Sequence, residues 1–153
     1  MEHDIDTLMP EALISLDEPP AEKEACIEHL LDLAVDAGRV EDREAALSAL
    51  LEREEQTTTG VGMGIGIPHA KTDAVMRPSV SFARSSAGVD FGAMDDEPAT
   101  LLFMILVPEE GADEHLEILS SLSRTLVHDE VRGRLREAET EAEVQRALAE
   151  AMN

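Results

Sequence analysis

A chain of 153 residues with 43% hydrophobic side chains has the size and apolar content of one globular domain, and we expect a single domain over residues 1–153. Its 34 acidic and 12 basic residues leave a formal net charge of −22, which argues against nucleic-acid binding because that binding depends on Lys and Arg neutralising phosphates. No apolar run approaches the roughly 18–20 residues that cross a membrane, and no N-terminal signal core is present, so we expect a cytoplasmic protein without direct membrane insertion.

The acidic residues are spread along the whole chain rather than gathered in a tail, and the hydrophobic content is too high for a disordered acidic segment. This distribution is typical of proteins adapted to a salty cytoplasm, with an ordinary acidic domain as the alternative. Self-repulsion of this size opposes compaction unless counterions screen it, and in molar salt the Debye length falls to about 3 Å. The composition therefore predicts a halophilic protein.

We expect the protein to fold and function fully only at high salt, because screening weakens the repulsion that favours the unfolded chain. Thermal unfolding followed by circular dichroism, from dilute buffer to molar potassium chloride, should show a melting temperature that rises with salt. A melting temperature that stays constant across the series contradicts this prediction.

The predicted elements begin with a short strand over residues 13–16, between Pro10 and Pro19, and a helix that runs from Ala21 to the stop signal Gly38. Apolar residues recur in this helix at helical spacing, at Cys26, Ile27, Leu30, Leu31 and Ala34. Because Cys26 is the single cysteine, no internal disulfide can form, and we interpret it as a buried structural thiol.

A second helix is predicted from about Asp42, a capping residue, to a charged end over residues 52–55 that contains Arg53. Residues 78–85 alternate as a half-buried strand does, and Val89 and Phe91 are interpreted as its hairpin partner. The continuous apolar run over residues 100–107 predicts a central strand covered on both faces.

Three helices are predicted in the remainder of the chain. The first begins near Asp113 and carries Leu116, Leu119, Leu122 and Leu126 on one face. The second covers residues 130–137, and the third follows a capping box of Thr140 and Glu143. Strands that alternate with helices in this way indicate an α/β fold.

The candidate active site is the stretch over residues 57–71, where unusual backbone and a reactive side chain coincide. Glycines at positions 60, 62, 64 and 66 alternate with apolar residues, so an extended backbone here would have one bare edge that a ligand or another backbone can approach. Pro68 removes an N–H group and restricts Ile67, which predicts that His69 is presented in a constrained pose.

The residue types in this stretch favour phosphoryl chemistry. Glycine-rich turns with exposed N–H groups bind anions, and the hydroxyl groups of Thr57, Thr58 and Thr59 add donors beside them. A neutral imidazole is a nucleophile or base at physiological pH, and Arg53 can add the bidentate fork that phosphate oxygens prefer. The spacing matches neither the nucleotide P-loop nor the dinucleotide fingerprint, so nucleotide binding is disfavoured.

Plainer interpretations stay open for both candidate histidines. Strict strand alternation places His69 in phase with the apolar residues, as a hydrogen-bonded core histidine, and a histidine such as His115 near a helix start is typically a surface or capping residue. A metal site built on the two would need a third ligand, and the sequence offers no Cys pair or His-x-x-x-His spacing for one. We therefore expect no metal.

Residues 53–54 and 58–70, which read RE and TTGVGMGIGIPHA, resemble the phosphorylation-site signature of the fructose/mannitol-type enzyme IIA domain of the sugar phosphotransferase system. That family also contains the nitrogen-regulatory IIA proteins. The likeness covers nearly the whole chain and includes residues 115–122, which read HLEILSSL. One departure is Gly66, where members of the family usually carry alanine.

The resemblance implies an α/β fold with a mixed, mostly parallel sheet sandwiched between helices. It also implies that His69 accepts a phosphoryl group from the histidine-containing phosphocarrier protein and passes it to a IIB component, with no cofactor. Arg53 and His115 match family positions beside that histidine, and an unidentified carbonyl would fix its tautomer. The phosphate-binding loop would consist of Thr59, Gly60, Gly62 and Gly64.

Three functions are consistent with these observations. We expect a sugar-uptake phosphocarrier for fructose, because the resemblance is greatest to the fructose-type members of the family. A nitrogen-type regulatory IIA protein would use the same histidine and signal by its phosphorylation state. A non-catalytic anion-binding module would keep the glycine loop and tolerate the loss of His69.

Overall fold

The chain folds into one sheet with helices before and after its main run of strands, within the α/β class that the sequence predicts. The computed structural model describes residues 5–56, 60–93, 95–110 and 112–152. The helices are α1 Ile5–Leu8, α2 Lys23–Asp36, α3 Arg43–Gln56, α4 Ala112–Leu126, α5 Asp129–Glu137 and α6 Glu141–Met152. The strands are β1 Ile14–Ser15, β2 Gly60–Gly62, β3 Ile65–Gly66, β4 His69–Lys71, β5 Ser79–Val89 and β6 Ala99–Val107, and a 3-10 turn at Glu11–Leu13 precedes β1.

Strand β6 is the centre of a mixed sheet whose order is β1-β5-β6-β3-β2, with β4 also paired to β6. Strand β5 runs antiparallel to β6 on one side, whereas β3 and β4 lie parallel to it on the other side, one after the other along its length. Strand β1 is parallel to β5, and β2 is antiparallel to β3. These pairings confirm the predicted α/β class with a mixed, mostly parallel sheet.

The apolar sequence of β6 explains its central position. Residues 101–107 are all 0–1% exposed, so both faces of the strand are covered. Phe103 of β6 stands in register with Phe82 of β5, and the centroids of the two rings lie 5.0 Å apart. The central strand predicted over residues 100–107 is therefore confirmed.

The predicted capping residues form hydrogen bonds at the starts of two helices. The Ala45 N–H donates to Asp42 Oδ1 at 3.2 Å at the start of α3, and the Glu143 N–H donates to Thr140 Oγ1 at 3.2 Å at the start of α6. Gly38 follows α2 with φ of +76°, the left-handed conformation that commonly ends a helix. In the described part of the chain, no helix is long and apolar enough to cross a membrane.

The apolar face of α2 is buried as its spacing predicts. Cys26 and the other four predicted residues of this face are 0% exposed. Burial, with a smaller contribution from the charge of Glu18, raises the pKa of the Cys26 thiol to about 12. Cys26 is therefore a neutral thiol packed in the core, as the structural interpretation predicts.

The predicted apolar face of α4 was wrong at one position. Ile118, Leu122 and Leu126 are each 1% exposed, whereas Leu116 is 61% exposed. Residues 118, 122 and 126 follow one another at intervals of four and so share a face, but Leu116 lies about 120° around the helix from Leu122 at 100° per residue. The seam that packs on the sheet therefore includes Ile118 and excludes Leu116.

The predicted hairpin partner of β5 was also wrong. Val89 is the last residue of β5 itself and pairs with Ala99 of β6, so β6 is the antiparallel partner. The register shifts between Arg84 and Val89, and Gly88 there has φ of +88°. The bulge lets one strand change direction where the alternation in the sequence indicated two strands.

Candidate active site

The glycine-rich stretch forms a hairpin. Strands β2 and β3 pair with Gly62 opposite Ile65, which leaves Met63 and Gly64 as the two turn residues. Their φ values are 58° and 76°, and positive φ at both positions is what a tight I′-type hairpin turn requires. The prediction of one extended backbone with a bare edge was therefore wrong, because the stretch turns back at Met63 and Gly64 and its two arms pair with each other.

The exposed side chain of Asp95 forms a hydrogen bond with this turn. Asp95 Oδ2 accepts the Met63 N–H at 3.0 Å, and this bond is the main reason that the pKa of Asp95 lies below its usual range. A Cβ on Gly62 would lie 3.0 Å from the same carboxylate oxygen, and one on Gly64 would lie 2.9 Å from Arg136 Nη2. These two glycines thus let the protein's own side chains approach the turn closely.

The turn lies at a distance from His69 along β6. The Gly64 carbonyl accepts the N–H groups of Thr100 and Leu101, whereas His69 is in register with Ile105. Positions 101 and 105 are separated by roughly 13 Å at the usual rise of a strand. The structure does not bring glycines 62 and 64 to the histidine, and their assignment to a phosphate-binding loop stays a prediction.

Other predicted site residues fall wholly or partly outside the description. Thr57, Thr58 and Thr59 lie outside the described residues. His115 belongs to the first turn of α4, but its side chain is outside the description too. Gly60 begins β2 and pairs with Gly66. The roles of these residues at the site stay predictions.

The orientation of the His69 ring is set by the backbone of its own segment. The residue is 6% exposed, and its Nδ1 lies 2.6 Å from the Ile67 carbonyl oxygen. Because that oxygen can only accept, Nδ1 carries the proton and Nε2 carries the lone pair. The Pro68 carbonyl accepts the Ile105 N–H at 3.0 Å, and this bond holds the residue before His69 against β6. His69 is therefore held in a constrained pose, as the preceding proline predicts, and it is buried, as strict strand alternation indicates.

Arg53 reaches the other ring nitrogen of His69. It lies in the last turn of α3, which packs against β4, and its Nε–H donates to His69 Nε2 at 3.2 Å. The half-buried guanidinium therefore lies in the direction of the His69 lone pair. The structure brings together two residues that the sequence analysis assigned to the site from opposite ends of the glycine-rich stretch.

The pKa of His69 lies below its ordinary value of 6.5. Burial is the largest cause, and the Arg53 charge acts in the same direction, while the Ile67 carbonyl and the Glu54 carboxylate act against both. The neutral imidazole is therefore the dominant form at neutral pH. Its Nε2 atom is available as a nucleophile without prior loss of a proton.

Sequence reasoning predicted a carbonyl that fixes the tautomer of His69 without identifying it, and it missed the ion pair of Lys23 and Glu54 nearby. The Ile67 carbonyl orients the ring, and a backbone oxygen has no sequence signal. Glu54 is the neighbour of Arg53 in the chain, and it forms an ion pair with Lys23 of α2 at 2.6 Å. The scarcity of lysine, at positions 23 and 71 alone, was the available hint.

Among the described residues, no three His, Cys, Asp or Glu side chains are grouped as a metal site requires.

Comparison with known proteins shows which family the chain resembles. Residues 7–151 match the family model described as "Phosphoenolpyruvate-dependent sugar phosphotransferase system, EIIA 2". The chain is 68% identical over 147 residues to the PTS system fructose-specific EIIA component of Haloferax volcanii, and the match covers 96% of each chain.

Two solved structures resemble the whole fold. The nitrogen regulatory protein IIA-Ntr of Neisseria meningitidis superposes with a TM-score of 0.83 at 31% identity, over 94% of this chain and 98% of that one. Enzyme IIAMTL in its complex with phosphorylated enzyme IIBMTL, from Escherichia coli, superposes with a TM-score of 0.78 at 31% identity, over 91% and 95% of the two chains.

Proposed function

Since the chain belongs to the EIIA type 2 family of the phosphoenolpyruvate-dependent sugar phosphotransferase system, we propose that it is a phosphocarrier that accepts a phosphoryl group on Nε2 of His69. The observation that supports this most directly is the 2.6 Å hydrogen bond from Nδ1 to the Ile67 carbonyl. The bond leaves Nε2 as the nucleophilic nitrogen of the ring, and Arg53 lies 3.2 Å from that atom.

The transfer balances without a cofactor. The N–P bond of the donor phosphohistidine breaks while the Nε2 lone pair of His69 forms a new N–P bond, and the donor nitrogen leaves with the electron pair. The Nδ1 proton stays on the ring, where it is hydrogen-bonded to the Ile67 carbonyl. The positive charge that develops on the imidazole therefore faces the negative end of that carbonyl dipole.

Catalysis in this proposal depends on placement and on neutralising the three equatorial oxygens of a loose transition state. Arg53 lies beside Nε2 of His69, on the side of the ring where the phosphoryl group would arrive. Its guanidinium moves from Nε2 to the phosphoryl oxygens as the N–P bond forms, and charge-assisted hydrogen bonds hold them. His115, Thr59 and Gly60 are proposed as further donors, whereas Gly62 and Gly64 belong to the turn that lies away from His69 along β6.

We propose that the donor is the histidine-containing phosphocarrier protein and that the acceptor is a IIB component of a sugar permease, in the cytoplasm. The high identity to the fructose-specific component of Haloferax volcanii supports a role in fructose uptake. The fold that the chain shares with enzyme IIAMTL, solved with phosphorylated enzyme IIBMTL, supports a IIB protein as the partner.

A regulatory role is the second candidate, because the chain also shares its fold with the nitrogen regulatory protein IIA-Ntr of Neisseria meningitidis. Such a protein would use the same His69 chemistry but would act by binding other proteins according to its phosphorylation state. The lower identity, 31% against 68%, favours the uptake role.

Transfer from phosphorylated His69 to a IIB protein distinguishes the two roles. The purified protein is labelled by a phosphorylated carrier, separated from it and mixed with the fructose-type IIB protein of the same organism. We expect the label to leave this chain and appear on IIB, and we expect no discharge to a IIB variant without its phosphoacceptor. A phosphorylated chain that keeps its label in the presence of intact IIB contradicts the uptake role.

A further inference from the structure

A mostly buried ion pair adjoins the pair of Arg53 and His69. Lys23, the first residue of α2, places Nζ 2.6 Å from Oε2 of Glu54, in the last turn of α3. The side chain of Glu54 is 8% exposed and that of Lys23 is 31% exposed. A carboxylate with so little access to water is unfavourable as an anion unless a cation and hydrogen bonds compensate it. Lys23 supplies positive charge for this purpose.

Lys23 is held from a second direction as well. Its Nζ lies 5.3 Å from the centroid of the Phe91 ring, a distance that suits a cation–π interaction. Phe91 is 1% exposed, and its Cδ1 lies 3.4 Å from the place where a Cβ on Gly66 would stand. Gly66 directly precedes Ile67, whose carbonyl orients His69. The ammonium group therefore lies between Glu54 of α3 and an aromatic ring that packs close to Gly66.

Two opposite charges of α3 act on His69. Arg53 lowers the pKa of the imidazole and Glu54 raises it. Lys71 of β4 is exposed at the end of the same strand, and the side chain of His115 is outside the description. A phosphoryl group brings about −1.5 to −2 charges, which exceeds the single positive charge of Arg53. Without the positive charge of Lys23, the Glu54 carboxylate would therefore oppose the arrival of the phosphoryl group more strongly.

We propose that Lys23 is a positioning residue for phosphoryl transfer: its ion pair holds the Glu54 carboxylate in place and balances its charge, so that Arg53 serves His69 and the incoming phosphoryl group. This inference rests on the proposed function of His69. Lys23 acts through Glu54 and does not touch the reacting atoms. A merely structural pair would tie α2 to α3 without affecting the protonation of His69.

Four variants of the full chain separate these two roles. We expect Lys23→Gln to accept phosphoryl groups about tenfold more slowly, since it removes a unit positive charge beside the Glu54 carboxylate. Lys23→Arg keeps the charge and should stay near the parental rate. Lys23→Gln combined with Glu54→Gln removes both charges and should recover most of the rate. Arg134→Gln is the matched control, because it removes a cation from the exposed pair with Glu150, 3.1 Å apart, and should change nothing.

Titration of the His69 ring by NMR, without any phosphoryl donor, is the second readout. We expect Lys23→Gln to raise the pKa of His69. The variant loses the positive charge beside Glu54, so the Glu54 carboxylate stabilises the protonated imidazole more strongly. Glu54→Gln alone should lower that pKa, and this variant tests the electrostatic argument even when Lys23→Gln does not fold. Melting temperatures measured beside each titration separate a loss of stability from a change at the site.

The inference is overturned when Lys23→Gln transfers at the parental rate with an unchanged His69 titration, or when the double variant is as slow as the single one. An unchanged His69 pKa in Glu54→Gln overturns it as well. A parental protein that accepts no phosphoryl group at all overturns the proposed function instead, and the positioning role with it. The two failures are thus distinguished by the parental protein.

Discussion

Replacement of His69 by alanine is expected to abolish phosphorylation of this protein by a phosphorylated carrier. The parental chain should gain the mass of one phosphate, located at residue 69, because Nε2 of that residue holds a lone pair beside Arg53. The phosphoramidate should be labile in acid and stable in base, unlike a phosphate ester on a serine or threonine. Mass spectrometry under alkaline conditions measures both the stoichiometry and the position.

His128→Ala is the matched control for this experiment, since His128 is an exposed histidine at the start of α5. It should be labelled like the parental chain. His69 is buried, so His69→Gln is tested beside the alanine variant to limit the loss of packing, and circular dichroism verifies that each variant is folded. Full labelling of folded His69→Ala would show that the acceptor is another residue, and His115 would be examined first.

Replacement of Arg53 by lysine is expected to slow phosphoryl transfer by roughly 10²-fold, the size of effect that follows the loss of one donor to a developing anion. Lysine keeps the positive charge but not the planar fork that binds two phosphoryl oxygens at once. The fold should survive, because Arg53 is half-buried at the end of α3. Rapid-quench measurement of label transfer from the carrier gives the rate.

Arg43→Lys is the matched control for Arg53→Lys, because Arg43 begins the same helix and pairs with Asp32 and Glu28 on α2. It should transfer at the parental rate. His115→Ala is measured in the same series, since the resemblance places His115 beside the phosphoryl group. Parental rates in both Arg53→Lys and His115→Ala would show that neither residue supports the transfer.

Local patterns in the sequence were sufficient for most helices and the central strand, and for the choice of Arg53 and His69 as the candidate pair. The apolar run of residues 100–107 specified a strand covered on both faces, and the spacing in α2 specified which side chains are buried. Asp42 and Thr140 marked helix starts because capping depends on residues within one helical turn. Arg53 and His69 could be assigned together because their residue types and their common motif both indicate phosphoryl chemistry.

The tertiary structure decided what depends on contacts between distant residues. Alternating glycines are compatible with an extended strand or with a turn, and pairing with β6 together with the Asp95 contact selects the hairpin. Leu116 is as apolar as Leu122 and Leu126 of the same helix, so its sequence does not mark it as exposed. Packing alone determines which face of α4 contacts the sheet. Lys23 and Glu54 belong to different helices, so their ion pair follows from how α2 and α3 are arranged. The sequence by itself thus determined most helices, the central strand and the candidate pair of Arg53 and His69, whereas long-range packing determined the hairpin, the buried face of α4 and the charged surroundings of His69.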